Sequence, residues 1–353
     1  MKKELLMASA LTASFGLAKV ADAASASFSG SVFAGVTGDD LESSSDETYG
    51  AVQEGALSFS VSETTDGGVK ISSGFTVVNE GAASATESGL TLTFTDGSTL
   101  DVIAAGNAYG GALASVPAAS GEQGISDTSA NNAPTDLDWA DTSDAVGIDW
   151  GSAADFMGVE GLTFGVSAAF GDDGDGVGTT TSETSYSMGA TYVTTAGDTS
   201  VTIGGGFIQA DTSNATASND MADSAAVSIA ATTGNLTVGA GFSNGSGLAA
   251  SAAAGVAMEV DSANYVEAGA KYTSGDIVFT VSISDGDAKD NVLGANSDTT
   301  EDSMESTSAS IDYTVASGVT ATLGYTDVTN SDDGTDAPSN SGSSWYVGAS
   351  LSF

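Results

Sequence analysis

The sequence predicts an all-β chain, a transmembrane antiparallel β-barrel of 16 strands, on three observations. Apolar residues recur at every second position in segment after segment. The connections between these segments alternate between tight turns and long acidic stretches. Charged residues inside the segments avoid the apolar parity, as a face in contact with lipid requires.

The chain opens with Lys2 and Lys3, a mostly apolar stretch from Leu5 to Ala18, and then Ala21-Asp22-Ala23, a small-x-small cleavage site. This is the layout of a secretory signal peptide. The apolar run is too short for a membrane helix, which takes about 20 residues. Residues 1–23 are therefore read as the signal and 24–353 as a single β-barrel domain.

No segment reads as a helix at period 3.6. Sixteen segments read as strands, at 26–37, 49–62, 68–78, 88–95, 98–105, 145–150, 161–170, 184–195, 199–208, 224–232, 235–243, 265–273, 276–284, 308–315, 318–326 and 344–353. Leu90, Leu92 and Phe94 alternate with Thr91, Thr93 and Thr95; Leu162, Phe164, Val166, Ala168 and Phe170 alternate with Thr163, Gly165, Ser167 and Ala169. Residues 251–260 fit either a strand or a loop.

The short connections include Thr64-Thr65-Asp66-Gly67, Thr95-Asp96-Gly97, Ala196-Gly197-Asp198, Thr233-Gly234-Asn235, Ser274-Gly275-Asp276 and Ala316-Ser317-Gly318, all hairpin chemistry. The long ones fall at 38–48, 79–87, 106–144, 171–183, 209–223, 244–264, 285–307 and 327–343. The connection at 151–160 occupies a short slot but exceeds a tight turn. Short turns on one side, long loops on the other and an even strand count are the pattern of an outer-membrane barrel. First and last strands can then pair, which removes the open edges that lipid does not tolerate.

Strand parity sorts the side chains. Glu54, Lys70, Asp101, Asp149, Glu267, Lys271 and Asp312 fall on the polar parity and are the candidate pore-lining charges. Phe59, Phe75, Tyr192, Tyr272, Tyr313, Tyr325, Trp345 and Phe353 fall on the apolar one, many near strand ends where an aromatic girdle meets the membrane interface. Serine, threonine and glycine fill the polar parity, as a water-filled lumen requires.

Composition narrows the chemistry. Taking Glu4 and Asp22 from the 47 acids, and Lys2, Lys3 and Lys19 from the 6 basic residues, leaves 45 acids against Lys70, Lys271 and Lys289, a net of −42. Such a chain has no basic patch for nucleic acid. Its field repels anions and attracts cations. With no histidine and no cysteine, histidine-dependent triads, thiolates and Cys/His zinc sites are closed, and no enzyme is expected. Asp172-Asp173-Gly174-Asp175-Gly176, Asp285 to Asp290 and Asp332 to Asp336 resemble loose Ca²⁺ loops, but none has the full ligand spacing; no cofactor is expected. Divalent cations bridging such loops to one another or to lipopolysaccharide are a related expectation. The rival reading from composition is a secreted acidic, calcium-binding surface protein or adhesin.

The segment Trp345-Tyr346-Val347-Gly348-Ala349-Ser350-Leu351-Ser352-Phe353 resembles the last strand of the bacterial general porins, especially those of alphaproteobacteria. Gly161-Leu162-Thr163-Phe164-Gly165-Val166-Ser167 is similar to the strand that follows their long third loop, and Leu100 to Gly110 to the approach to it. The resemblance covers essentially the whole of 24–353. It implies a passive diffusion channel for small hydrophilic solutes in the bacterial outer membrane, a homotrimer, and a third loop folded into the lumen. It marks Trp345, Val347, Leu351 and Phe353 as the signal read by the barrel-assembly machinery. It makes 106–144 the constriction loop, with Glu122, Asp127, Asp136, Asp138, Asp141 and Asp144 as its acids. A substrate-specific porin shares the same fold. General porins usually oppose the acidic loop with an arginine cluster; this chain has no arginine, so a transverse field is not expected.

Overall fold

A computed structural model describes residues 25–41, 48–80, 82–87, 89–102, 107–119, 134, 136–138, 145–172, 184–211, 221–246, 249–250, 258–292, 301–332 and 341–353. Residues 1–23, expected to be a signal peptide, lie outside them. Among the described residues, eighteen strand segments build a closed antiparallel barrel of 16 strands. Two segments continue a neighbour. Ala82–Glu87 and Leu90–Thr93 pair in succession with one strand, separated by a break at Gly89 whose carbonyl accepts from the Ser73 hydroxyl. Ala249–Ala250 lengthens Leu236–Ser246 along the strand they share.

In chain order the strands are β1 Ser25–Leu41, β2 Thr48–Thr64, β3 Lys70–Glu80, β4 (Ala82–Glu87 with Leu90–Thr93), β5 Thr99–Val102 and β6 Ala145–Gly151. Then follow β7 Leu162–Asp172, β8 Thr184–Ala196, β9 Thr199–Asp211, β10 Met221–Thr233 and β11 (Leu236–Ser246 with Ala249–Ala250). The last five are β12 Met258–Ser274, β13 Ile277–Val292, β14 Glu301–Ala316, β15 Val319–Asp332 and β16 Gly342–Ser352. Each pairs with the next, and β1 pairs with β16 from Ser31↔Ser352 to Leu41↔Gly342. Two further backbone bonds of 3.0 Å, exchanged between Gly30 and Phe353, finish this seam. All sixteen expected strands are present.

Many strands run further than the alternation predicts, chiefly toward the long connections. β12 begins at Met258, β13 reaches Val292, β14 begins at Glu301 and β15 reaches Asp332, so much of 244–264, 285–307 and 327–343 is strand rather than loop. The expected loop at 79–87 is largely strand as well, with Glu80 opposite Ala82. The reason is visible on β13. Its outward residues are Phe279, Val281 and Ile283, all exposed, followed by Asp285, Asp287 and Lys289. Beyond Ile283 the outward residues turn charged while the inward Gly286 and Ala288 are small and buried, so the hairpin continues without an alternation that the sequence would reveal. The Asp285 to Asp290 segment is therefore not a calcium loop: its side chains alternate across an extended strand and cannot wrap one ion.

The tight turns close the other end. At Gly197, φ is +63°, a conformation that a side chain resists, and the two-residue turn joins β8 to β9 with Thr199 opposite Ala196. In the β4–β5 turn the Asp96 carboxylate accepts from the Ser98 hydroxyl and backbone N–H, and these bonds hold its pKa below the usual 3.8. The longer connection between β6 and β7 contains a 3₁₀ turn, Phe156–Gly158, whose Phe156 ring stacks on Phe164 at 5.4 Å and meets Trp150 edge-on at 6.3 Å. At the opposite end Tyr49 and Trp345 lie 6.3 Å apart. Between the two, Phe28, Phe59 and Phe75 form a ladder on β1–β3 with centroids 4.9 and 5.4 Å apart.

The molecule keeps its small apolar core inside the barrel. Tyr109, Ile208 and Ala226 form one cluster, and Leu137, Tyr265, Met304 and Val328 another; Leu113 packs against both. Each joins wall side chains to the insertion between β5 and β6.

Candidate functional site

Strand pleating places Glu54, Lys70, Asp101, Asp149, Glu267, Lys271 and Asp312 on the face opposite the exposed apolar residues. Glu54 lies across from Phe33, whose ring meets Tyr346 at 5.0 Å; these two aromatics also point inward. Asp101 and Asp149 are direct cross-strand partners on β5 and β6, and Asp101 also accepts from the Thr91 hydroxyl. Asp312 accepts from the Thr322 hydroxyl at 2.6 Å. Lys70 opens β3 directly after its turn, and Lys271 lies near the next-strand turn at Gly275, so both cations sit at the tight-turn end.

The insertion after β5 contains one helical turn, α1 Ala108–Gly111, which the sequence reading did not anticipate because four residues carry no periodicity. Asn107 caps it: its side chain accepts from the Gly110 N–H at 2.6 Å. From there, residues 107–119 run against the inward side of β7 to β13. The wall supplies their backbone partners. The N–H groups of Ala108, Tyr109, Ala114 and Ala119 donate to the hydroxyls of Ser167, Ser187, Ser228 and Ser282, at 3.0, 3.2, 2.6 and 3.3 Å. The Thr191 hydroxyl donates to the Ala112 carbonyl at 2.7 Å. Each such bond contributes about 1 kcal/mol net.

Tyr109 is fully buried and acts as the pin. Its hydroxyl donates to the Leu137 carbonyl at 2.7 Å, and the Ser224 hydroxyl lies 2.8 Å away on β10. The phenolic proton is thus committed to Leu137, and Ser224 donates in turn. This ties the first part of the insertion to residues 136–138. There Asp136 and Asp138 come close enough to Glu267 to act on it electrostatically, and Tyr265 lies beside Glu267 and Ser284. Two acidic groupings result: Asp101 with Asp149, and Glu267 with Asp136 and Asp138. Glu122, Asp127, Asp141 and Asp144 lie outside the described residues. Trp345, Val347, Leu351 and Phe353 lie on the outward stripe of β16, all exposed. Among the described residues no cluster of three or more acids is arranged to hold a metal ion.

The comparisons agree with this geometry. A family model described as Gram-negative porin matches residues 6–333. This chain belongs to the Gram-negative porins. Among curated proteins no sequence match was found. Similar solved structures include the outer-membrane channel DcaP of Acinetobacter baumannii (13% identity, 95% of this chain and 99% of that one, TM-score 0.63). Salmonella typhi OmpF, solved with daunomycin, matches at 15% identity over 93% of this chain and 97% of that one, with a TM-score of 0.62. The trimer form of Vibrio cholerae OmpT matches at 14% identity over 94% and 100%, with a TM-score of 0.58. At these identities the likeness is one of fold. The porin resides in the bacterial outer membrane. Its outward belt is the lipid face, and the alternative of a secreted adhesin falls away.

The wall glycines of this porin were legible as a polar stripe but not as contacts. Pro117 and Pro134, two of the 3 prolines, offered the missing signal. Both lie in the insertion and both touch wall glycines.

Proposed function

We propose that this outer-membrane porin is a passive diffusion channel for small hydrophilic solutes that prefers cations. The reading rests on the sign of the inward charges. Glu54, Asp101, Asp149, Glu267 and Asp312 share the inner face with only Lys70 and Lys271, both at the tight-turn end. In a water-filled passage with low-dielectric walls, fixed negative charge concentrates cations and excludes anions. The acidic insertion between β5 and β6 is the constriction. Its Asp136 and Asp138 approach Glu267, so the narrowest part of the path carries acids from both the loop and the wall. With no arginine to oppose them, selectivity comes from net charge and pore size rather than from a field across the passage. The porin works as a homotrimer, as the trimer form of the similar Vibrio protein suggests. The reversal potential of the purified porin in a planar bilayer under a KCl gradient tests the preference. A potential of the sign set by K⁺ permeation is expected, and an anion-selective channel overturns the reading.

A further inference from the structure

We infer that the inner wall of β7–β13 is cut away by glycine to receive the insertion flush, and that Gly189, Gly204, Gly206, Gly241, Gly269 and Gly286 position it. This rests on the reading of that insertion as the constriction. A β-carbon built on Gly189, Gly204, Gly269 or Gly286 runs into a loop carbonyl oxygen, that of Ala108, Ala112, Pro117 and Pro134 respectively. On Gly206 it would lie 2.8 Å from the Tyr109 carbonyl oxygen, and on Gly241 it collides with the Leu137 side chain. Except at Gly241, where the contact is the Leu137 side chain, these are backbone atoms of the loop, and wall hydrogen bonds hold Ala108, Tyr109 and Ala112, so a side chain there displaces the loop instead of nudging a flexible tip.

The glycines and the hydroxyls interleave. Ser187 and Gly189 alternate on β8, and Gly239, Gly241 and Ser243 share the inner face of β11. Glycine provides depth and serine provides backbone partners, and Pro117 and Pro134 bring no N–H that would need one. Of the strands that residues 107–119 cross, β10 alone has no glycine, and there Ser224, Ala226 and Ser228 keep the wall low. On β1, β2 and β16 the inner face keeps large side chains such as Phe33, Glu54 and Tyr346. A loop sunk into the wall takes less of the passage than one resting on side chains. Held by the backbone of residues 107–119, this part of the loop is a fixed rim and not a lid that opens. Pore size is therefore set by wall residues that no solute touches.

The strand β9 contains its own control. Gly204 and Gly206 face the loop, while Gly205 between them faces outward, where a β-carbon finds its nearest atoms at 3.3 and 3.4 Å. Gly204→Ala/Gly206→Ala and Gly205→Ala make the same chemical change to one strand on opposite faces. Amide hydrogen exchange of residues 107–119 is measured in each folded porin, with heat-modifiable migration confirming the barrel, and unit conductance is read in a planar bilayer. Slow exchange in the wild type and in Gly205→Ala, with fast exchange and altered conductance in the double variant, is expected. Equal exchange in all three proteins overturns the furrow, whatever the conductance. Should the double variant fail to fold, Gly269→Ala, which meets Pro117, gives the same readout on β12. A variant lacking residues 112–135 separates the two ideas: if its conductance equals the wild type, the constriction reading fails, while the exchange result still decides the furrow.

Discussion

Phe353 illustrates how one residue serves both faces of the seam problem. Its backbone exchanges two hydrogen bonds of 3.0 Å with Gly30, extending the β1–β16 ladder beyond its last paired residues. Its ring lies on the outward stripe with Leu351 and Val347, and Gly30 leaves room for it: a β-carbon there would come within 2.7 Å of the ring. Deleting Phe353 removes both the ladder's last rung and the end of the lipid-facing stripe. The expected result is less folded, heat-modifiable porin in the outer membrane and more periplasmic degradation, measured by gel shift and fractionation. Wild-type levels of folded protein would show that the seam closes without it.

The strands obey two different codes along their length. Within the membrane, an outward Lys or Arg costs about 2–4 kcal/mol at the midplane and an outward acid somewhat less, so outward residues are apolar and the period of two is plain. Beyond it the outward residues of β13 and β14 become Asp285, Asp287 and Glu305, and the backbone ladder of the same strands continues, with Asp285 opposite Glu305. The topology fixes which connections face which side. An epitope inserted between β7 and β8, or between β13 and β14, should be reached by antibody on intact cells. The same epitope at Asp66-Gly67 or Ala316-Ser317 should be reached only after the outer membrane is permeabilised. Surface labelling at either tight turn would reverse the orientation of the barrel.

For the molecule as a whole, electrostatics and salt should trade off in a measurable way. The Debye length is about 10 Å at 0.1 M salt and about 3 Å at 1 M, so a preference due to fixed charge should be strong in dilute KCl and fade in concentrated KCl. Neutralising Asp136, Asp138, Asp141 and Asp144 together should lower the preference more than neutralising Asp327, Asp332, Asp333 and Asp336. Equal effects from the two sets would remove the insertion from the role of constriction, because Asp327 faces outward and does not line the passage.

The sequence by itself determined the barrel, its strand order and which wall charges face inward. Lipid on one face and water on the other write a period of two into every membrane segment, and Phe59 with Ser58 and Ser60 carries that message without any distant partner. It also determined the sign of the charge. Tertiary structure alone decided what holds residues 107–119 and 136–138 of the insertion. The contacts of Tyr109 with Ser187, Ser224 and Leu137 join residues far apart in the chain, and Gly204 reads the same whether it faces water or a loop. Outer strand ends were hidden for a related reason: their outward residues are charged or polar and their inward ones, such as Met304 and Val328, pack against distant parts of the chain, so no run of alternating apolar residues announces them.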